Sequence, residues 1–158
     1  MIELPTRRDP SNPIRLRAHT LLCLQGFRGM GYSPGFVENM AAIHRMLTDH
    51  PESQVEILDG PDAVCGACPH RRPAGCTLNG DRTEQDMTDQ DRVVLRKLGF
   101  RVGSRIPWRE VLDRIRLSVH AADLPSICGR CRWLPLGFCR EGIDRLHHPI
   151  AAPFSKPR

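Results

Sequence analysis

Residues 14–58, IRLRAHTLLCLQGFRGMGYSPGFVENMAAIHRMLTDHPESQVEIL, read as strand, helix, helix, strand. Ile14-Arg15-Leu16-Arg17 alternates apolar and charged residues, the period of a half-buried strand. His19 to Gln25 follows as a short helix, closed by a Gly-rich turn through Gly26, Gly29 and Gly31. Ser33 before Pro34 is a helix start, because the hydroxyl can accept an unpaired backbone N–H and proline suits the first turn. From there Phe36, Val37, Met40, Ile43 and Leu47 recur at helical spacing, which predicts an amphipathic helix over 34–49. Gln54 to Leu58 alternates again around Val55 and Ile57. Two strands joined by a helical crossover pair in parallel when they share a sheet.

The rest of the chain reads as helices between loops. Thr88 is expected to cap a helix over residues 89–98, acidic at its start, basic at its end and stopped by Gly99. Another helix begins near Pro107 and carries Trp108, Val111, Leu112, Ile115 and Val119 on one face. A last helix opens at or just after Cys139, runs to His147 and is ended by Pro149. The expected fold is α+β and mainly helical. It is a small single domain over residues 14–149, with four to five helices, a short two-stranded sheet and two cysteine-rich metal-binding loops. Residues 1–13 and 150–158 read as tails.

Those loops repeat one pattern. Cys65-Gly66-Ala67-Cys68 is followed after seven residues by Cys76, and Cys128-Gly129-Arg130-Cys131 after seven residues by Cys139. Six of the seven cysteines fall into these trios, and Cys23 stands apart. Two residues between thiols let one tight turn aim both sulfurs at a single ion, the spacing of zinc and iron–sulfur sites. The segments around the trios show no other self-similarity, so the repeat is one of binding loops.

Each trio supplies three corners of a site and leaves the fourth open. Cys23 is a candidate, although its setting in Leu21-Leu22-Cys23-Leu24 also suits a buried core thiol. His19 lies four residues earlier, on the same helix face. His70 lies inside the first loop, and His147-His148 follow the second. A zinc ribbon of Cys65, Cys68, Cys128 and Cys131 is a further arrangement, but it leaves Cys76 and Cys139 without a purpose. Three-plus-one patterns are common for cubane clusters. Gly-rich loops also leave backbone N–H groups for the cluster sulfides. The metal reading is therefore an iron–sulfur cluster, 4Fe–4S in type, with zinc as the alternative.

The stretch Arg17-Ala18-His19-Thr20-Leu21-Leu22-Cys23-Leu24-Gln25-Gly26-Phe27-Arg28-Gly29, with Gly31-Tyr32-Ser33-Pro34 and Phe36-Val37-Glu38-Asn39-Met40, resembles a known family. It is similar to the domain of unknown function 1284, a family of small bacterial and archaeal proteins. The resemblance covers most of residues 14–145, including both trios. It implies iron–sulfur binding and the inclusion of Cys23 among the ligands, and it implies no reaction or substrate. Where that family carries a second histidine, this chain has Thr20, so the resemblance carries no paired histidine into this chain.

Composition bounds the function. At 158 residues, 40% hydrophobic and 26% charged, the chain can bury a core of its own. The net charge of +5 comes from 23 basic and 18 acidic residues, scattered without the clustered basic face that is the usual footprint of nucleic-acid binding. No apolar h-region opens the chain and no segment matches a membrane span, which places it in the cytoplasm with reduced thiols.

The leading functional expectation is electron transfer or redox sensing with an unidentified redox or protein partner. The alternative is a zinc-stabilised protein- or nucleic-acid-interaction module, and a third reading is thiol–disulfide exchange at one CxxC. An open iron acting on a substrate would need acid–base groups nearby. Asp62, Glu141 and Asp144 flank the loops but read as solvated carboxylates, and no catalytic residue is assigned. Trp133 and Phe138 read as covers over the metal.

Overall fold

A computed structural model describes residues 12–64, 68–72, 75–76, 82–128 and 134–148. Strand β1, Ile14–Arg17, pairs in parallel with β2, Gln54–Leu58, as the crossover predicts. Between them lie α1, Ala18–Cys23, continued by a 3-10 turn over Leu24–Gly26, and α2, Pro34–Asp49. The Ser33 hydroxyl accepts the Phe36 backbone N–H at 3.1 Å, with Pro34 in the first turn. Phe36, Met40, Ile43 and Leu47 are the buried stripe of α2.

The sheet has a strand more than expected. A three-residue strand at Arg105–Pro107 pairs antiparallel with β2, giving the order β1-β2-strand 105–107. Its three residues are too few to show alternation. It is positioned instead by the turn before it, where Gly103 adopts a φ of +88° and its N–H reaches the Ile57 carbonyl at 2.8 Å. The register lines up Ile14 with Val55, Val55 with Ile106, and Leu16 with Ile57. The other parity carries Glu56 between Arg15 and Arg105, at 2.9 and 3.0 Å. Such exposed pairs contribute little stability. They do favour this register, because a one-residue slip would turn the apolar set outward.

A second ladder, β3 (Arg71–Arg72) with β4 (Gly75–Cys76), closes the loop between Cys68 and Cys76. Helix α3 then spans Thr83–Leu98, starting well before the expected residue 89. Thr88 is not its cap. The Thr88 hydroxyl points into the protein, 3.0 Å from Glu84 Oε2 and 3.2 Å from the Asp59 carbonyl. Gly99, at φ +72°, ends α3 as expected. The strand at 105–107, β5, leads into α4, Trp108–Ser118, then α5, Leu124–Cys128, and α6, Phe138–His147.

The protein is thus mainly helical, with six α-helices and a three-stranded sheet among the described residues rather than four to five helices and two strands. Ile14, Leu16, Leu21, Val55, Ile57, Val94, Leu98, Val111, Ile115 and Ile143 form the centre of one core. Among the described residues no helix is long and apolar enough to cross a membrane. The C-terminal tail, Pro149 and all but residues 12 and 13 of the N-terminal tail lie outside the described residues.

Candidate functional site

A cavity of about 980 Å³ opens where α1, α3, α5 and α6 meet, and Cys23, Cys68, Cys76, Cys128 and Cys139 all line it. Each arrives by a different local route. Cys23 is the last residue of α1, Cys128 the last of α5 and Cys139 the second of α6. Cys76 is held in the β3–β4 ladder, and Cys68 stands in the loop before it. Two cysteines of each trio, Cys68 and Cys76, Cys128 and Cys139, therefore face one space together with the isolated Cys23. Cys23 is half-buried at the cavity wall, so its apolar neighbours in sequence do not enclose it. Cys65, Cys131 and Trp133 lie outside the described residues. Among the described residues no three His, Cys, Asp or Glu side chains form a metal-holding group by themselves.

Glycine lets α6 approach the 24–26 turn here. At Gly26 an added Cβ would lie 2.6 Å from the Cys139 Cα and 2.8 Å from its Sγ. At Gly142 it would overlap the Gln25 carbonyl. Helix α6 therefore rests directly on the 24–26 turn, and Cys139 abuts the turn that follows Cys23.

Beneath the cavity lies a buried charge network absent from the sequence reading. Arg17 Nε donates to Asp91 Oδ2 at 2.8 Å, while its two terminal nitrogens reach Glu84 at 3.2 and 2.8 Å. Asp91 Oδ1 accepts the backbone N–H of His19 at 3.0 Å and stands 2.7 Å from its Nδ1. Glu84 also accepts the backbone N–H of Cys76 at 3.1 Å. The side chains of Asp91 and Arg17 are 0% and 3% exposed. Burial opposes the charge on Arg17, but its bonds to Glu84 and the nearby Asp91 outweigh that and hold its proton more firmly than usual. Burial likewise works against the Glu84 carboxylate. The Arg17 pair, with the Cys76 N–H and the Thr88 hydroxyl, overcomes it and keeps the Glu84 pKa below the usual 4.5.

That depression has a measurable consequence. A carboxyl with a lowered folded-state pKa stabilises the protein above its unfolded value and loses that contribution as pH falls through the folded one. Thermal unfolding followed by circular dichroism should show stability dropping below pH 4.5. Asp123 and Glu56 are depressed as well, so Glu84→Gln isolates this part: the variant should be less stable at neutral pH and less acid-sensitive. Parallel pH profiles of the two proteins would refute this role for Glu84.

The remaining candidates sort by where they fall. His19 lines the cavity, with Nδ1 engaged by Asp91. His70 does not line it and stands edge-on to Tyr32, ring centroids 5.3 Å apart. His147 stacks on His120 at 4.3 Å and approaches the Val119 carbonyl, away from the cavity. Asp62 is not a solvated carboxylate. It is 6% exposed and accepts the backbone N–H groups of Arg17 and Val64, at 2.8 and 3.0 Å. Glu141 and Asp144 are exposed, the former paired with Arg28 at 2.8 Å. Phe138 lines the cavity under the Arg28 guanidinium, 5.3 Å from its ring centroid. Phe27, Tyr32, Phe36 and Met40 make an apolar wall, and Thr83, Asp86 and Gln90 of α3 a polar one.

Thiols joined by one imidazole are a soft donor set that suits iron–sulfur clusters and zinc, and not magnesium or calcium. A family model described as a protein of unknown function, DUF1284, matches residues 31–137. No curated protein and no solved structure matches the chain.

Proposed function

Because the chain belongs to the DUF1284 family, whose description assigns no reaction, we propose from the site's own chemistry that it is a cytoplasmic iron–sulfur protein serving electron transfer or redox sensing. One observation carries this reading: cysteines from both trios, and Cys23, line a single cavity. Cys68, Cys76, Cys128, Cys139 and Cys23 would hold the iron, with Cys65 and Cys131 completing the trios by their place in the sequence. When bound, a 4Fe–4S cluster supplies one-electron chemistry at a potential set by ligand charge, hydrogen bonds to its sulfurs and exposure. The chain's part is to exclude water with Phe27, Tyr32, Phe36 and Met40, and to hold α1 against α3 through Arg17 and Asp91.

A structural zinc site is closed, with four ligands drawn tightly round one ion. A cavity of about 980 Å³ is more than such a site needs, which favours the larger group. Anaerobic purification followed by an absorption spectrum and assays of iron, acid-labile sulfide and zinc tests the reading. The expected product is brown, contains iron and sulfide, and loses most of both in Cys128→Ser. A colourless protein with stoichiometric zinc would make this a zinc-stabilised interaction module instead. Full metal content in Cys128→Ser would remove that trio from the site.

A further inference from the structure

Two donors outside the trios face the cavity, Cys23 and His19, four residues apart on α1. Their surroundings assign them to different sides. Cys23 is one turn before Gly26, against which Cys139 of the second trio lies. His19 is bonded through Asp91 to α3, the helix whose Glu84 accepts the backbone N–H of Cys76 in the first trio. Arg17 joins the two carboxylates, so His19 and Cys76 are held by one network.

We infer that His19 Nε2 is the fourth donor on the first trio's side of the cavity, with Asp91 as its positioning residue; this rests on the iron–sulfur reading above. The tautomer follows from the bonds. Asp91 is a carboxylate facing the Arg17 guanidinium, so the ring nitrogen 2.7 Å from it, Nδ1, is the one that carries hydrogen. In the neutral ring that arrangement leaves Nε2 with the lone pair, on a residue that lines the cavity. A carboxylate behind a histidine is the usual support of a metal-bound imidazole, fixing its tautomer and raising its basicity.

Electrostatics favours an imidazole over a thiolate at this place. Asp91 and Glu84 set two negative charges against the single positive charge of Arg17. A fourth thiolate above that layer would add negative charge where burial weakens screening, whereas a neutral imidazole adds none. Cys23, at the other end of the helix, lies beyond this layer and next to Cys139.

The test uses the full chain, purified anaerobically and reduced, with histidine labelled by ¹⁵N. Pulsed electron paramagnetic resonance should show a strongly coupled nitrogen whose frequency changes with the label. In His19→Cys that coupling should vanish while iron and sulfide are retained, and the reduction potential should fall because a thiolate replaces an imidazole. Asp91→Asn should weaken iron retention against a chelator by about 10–100-fold. Iron and sulfide with no histidine coupling, or a coupling that survives in His19→Cys, would overturn the assignment and leave the iron–sulfur reading standing. A protein without iron and sulfide would overturn both.

Discussion

Asp91→Ala is expected to lower the unfolding free energy by about 3–5 kcal/mol, the cost of breaking a buried ion pair by removing one partner. The Asp91 side chain has no exposed surface and accepts three bonds, from Arg17 Nε and from both nitrogens presented by His19. Its removal leaves Arg17 buried with Glu84 alone, and Glu84 is itself one-fifth exposed. Single domains have only about 5–15 kcal/mol in total, so the variant should stand near its unfolding threshold at room temperature. Urea unfolding of the metal-free protein measures this directly. The double variant Arg17→Met, Asp91→Leu should recover much of the loss, because a buried pair exchanged for apolar groups is often close to neutral. A coupling below about 0.5 kcal/mol between the two positions would mean they act independently and that the network does not hold α1 to α3.

This network also marks the limit of what the sequence made legible. Strands 14–17 and 54–58 and the helix at 34–49 follow from local periodicity, and the structure has them with the same boundaries. The helices at 108–118 and 138–147 likewise stand where their apolar stripes and flanking prolines and glycines put them. Strand 105–107 was invisible because its partners are remote: Ile106 pairs with Val55, 51 positions away. The start of α3 was misplaced because Thr88 resembles a cap, whereas its hydroxyl bonds back one turn to Glu84.

In the sequence Asp91 is one of the acids at the start of the expected helix, yet it falls in line with Val94, Leu95 and Leu98 on the buried face of α3. That misfit, an acid on an apolar stripe seven residues after Glu84, is one signal of the network. Arg17 gave a similar sign, as a charge at the end of a strand that runs straight into a helix. The cysteine pattern proclaimed two loops. That cysteines from both line one cavity depends on α6 returning to the 24–26 turn, a contact across more than 100 residues that spacing does not encode.

That return contact can be tested at one atom. Gly142→Ala should destabilise the protein by about 1–3 kcal/mol, the usual cost of overpacking. In an exposed helix the same change would stabilise by up to about 1 kcal/mol, so the sign of the effect is diagnostic. The new methyl group overlaps the Gln25 carbonyl oxygen, a backbone atom that cannot rotate away, and α6 must move outward. Gly35 in α2 is the matched control, since a Cβ there meets nothing within 4 Å, and Gly35→Ala should be neutral or stabilising.

Stability is only half of the expected result. Cys139 lies three residues before Gly142 on the same face of α6, pressed against Gly26. Displacing the helix draws this sulfur away from the cavity and from the turn after Cys23. On the proposed iron–sulfur reading Gly142→Ala should therefore lose iron during purification while Gly35→Ala retains it, although neither position carries a donor atom. Loss of stability with full iron would separate the packing of α6 from the metal and remove Cys139 from the ligands. Loss of both together would tie the site's integrity to two close approaches, Gly26 against Cys139 and Gly142 against Gln25, at glycines that no ligand motif contains.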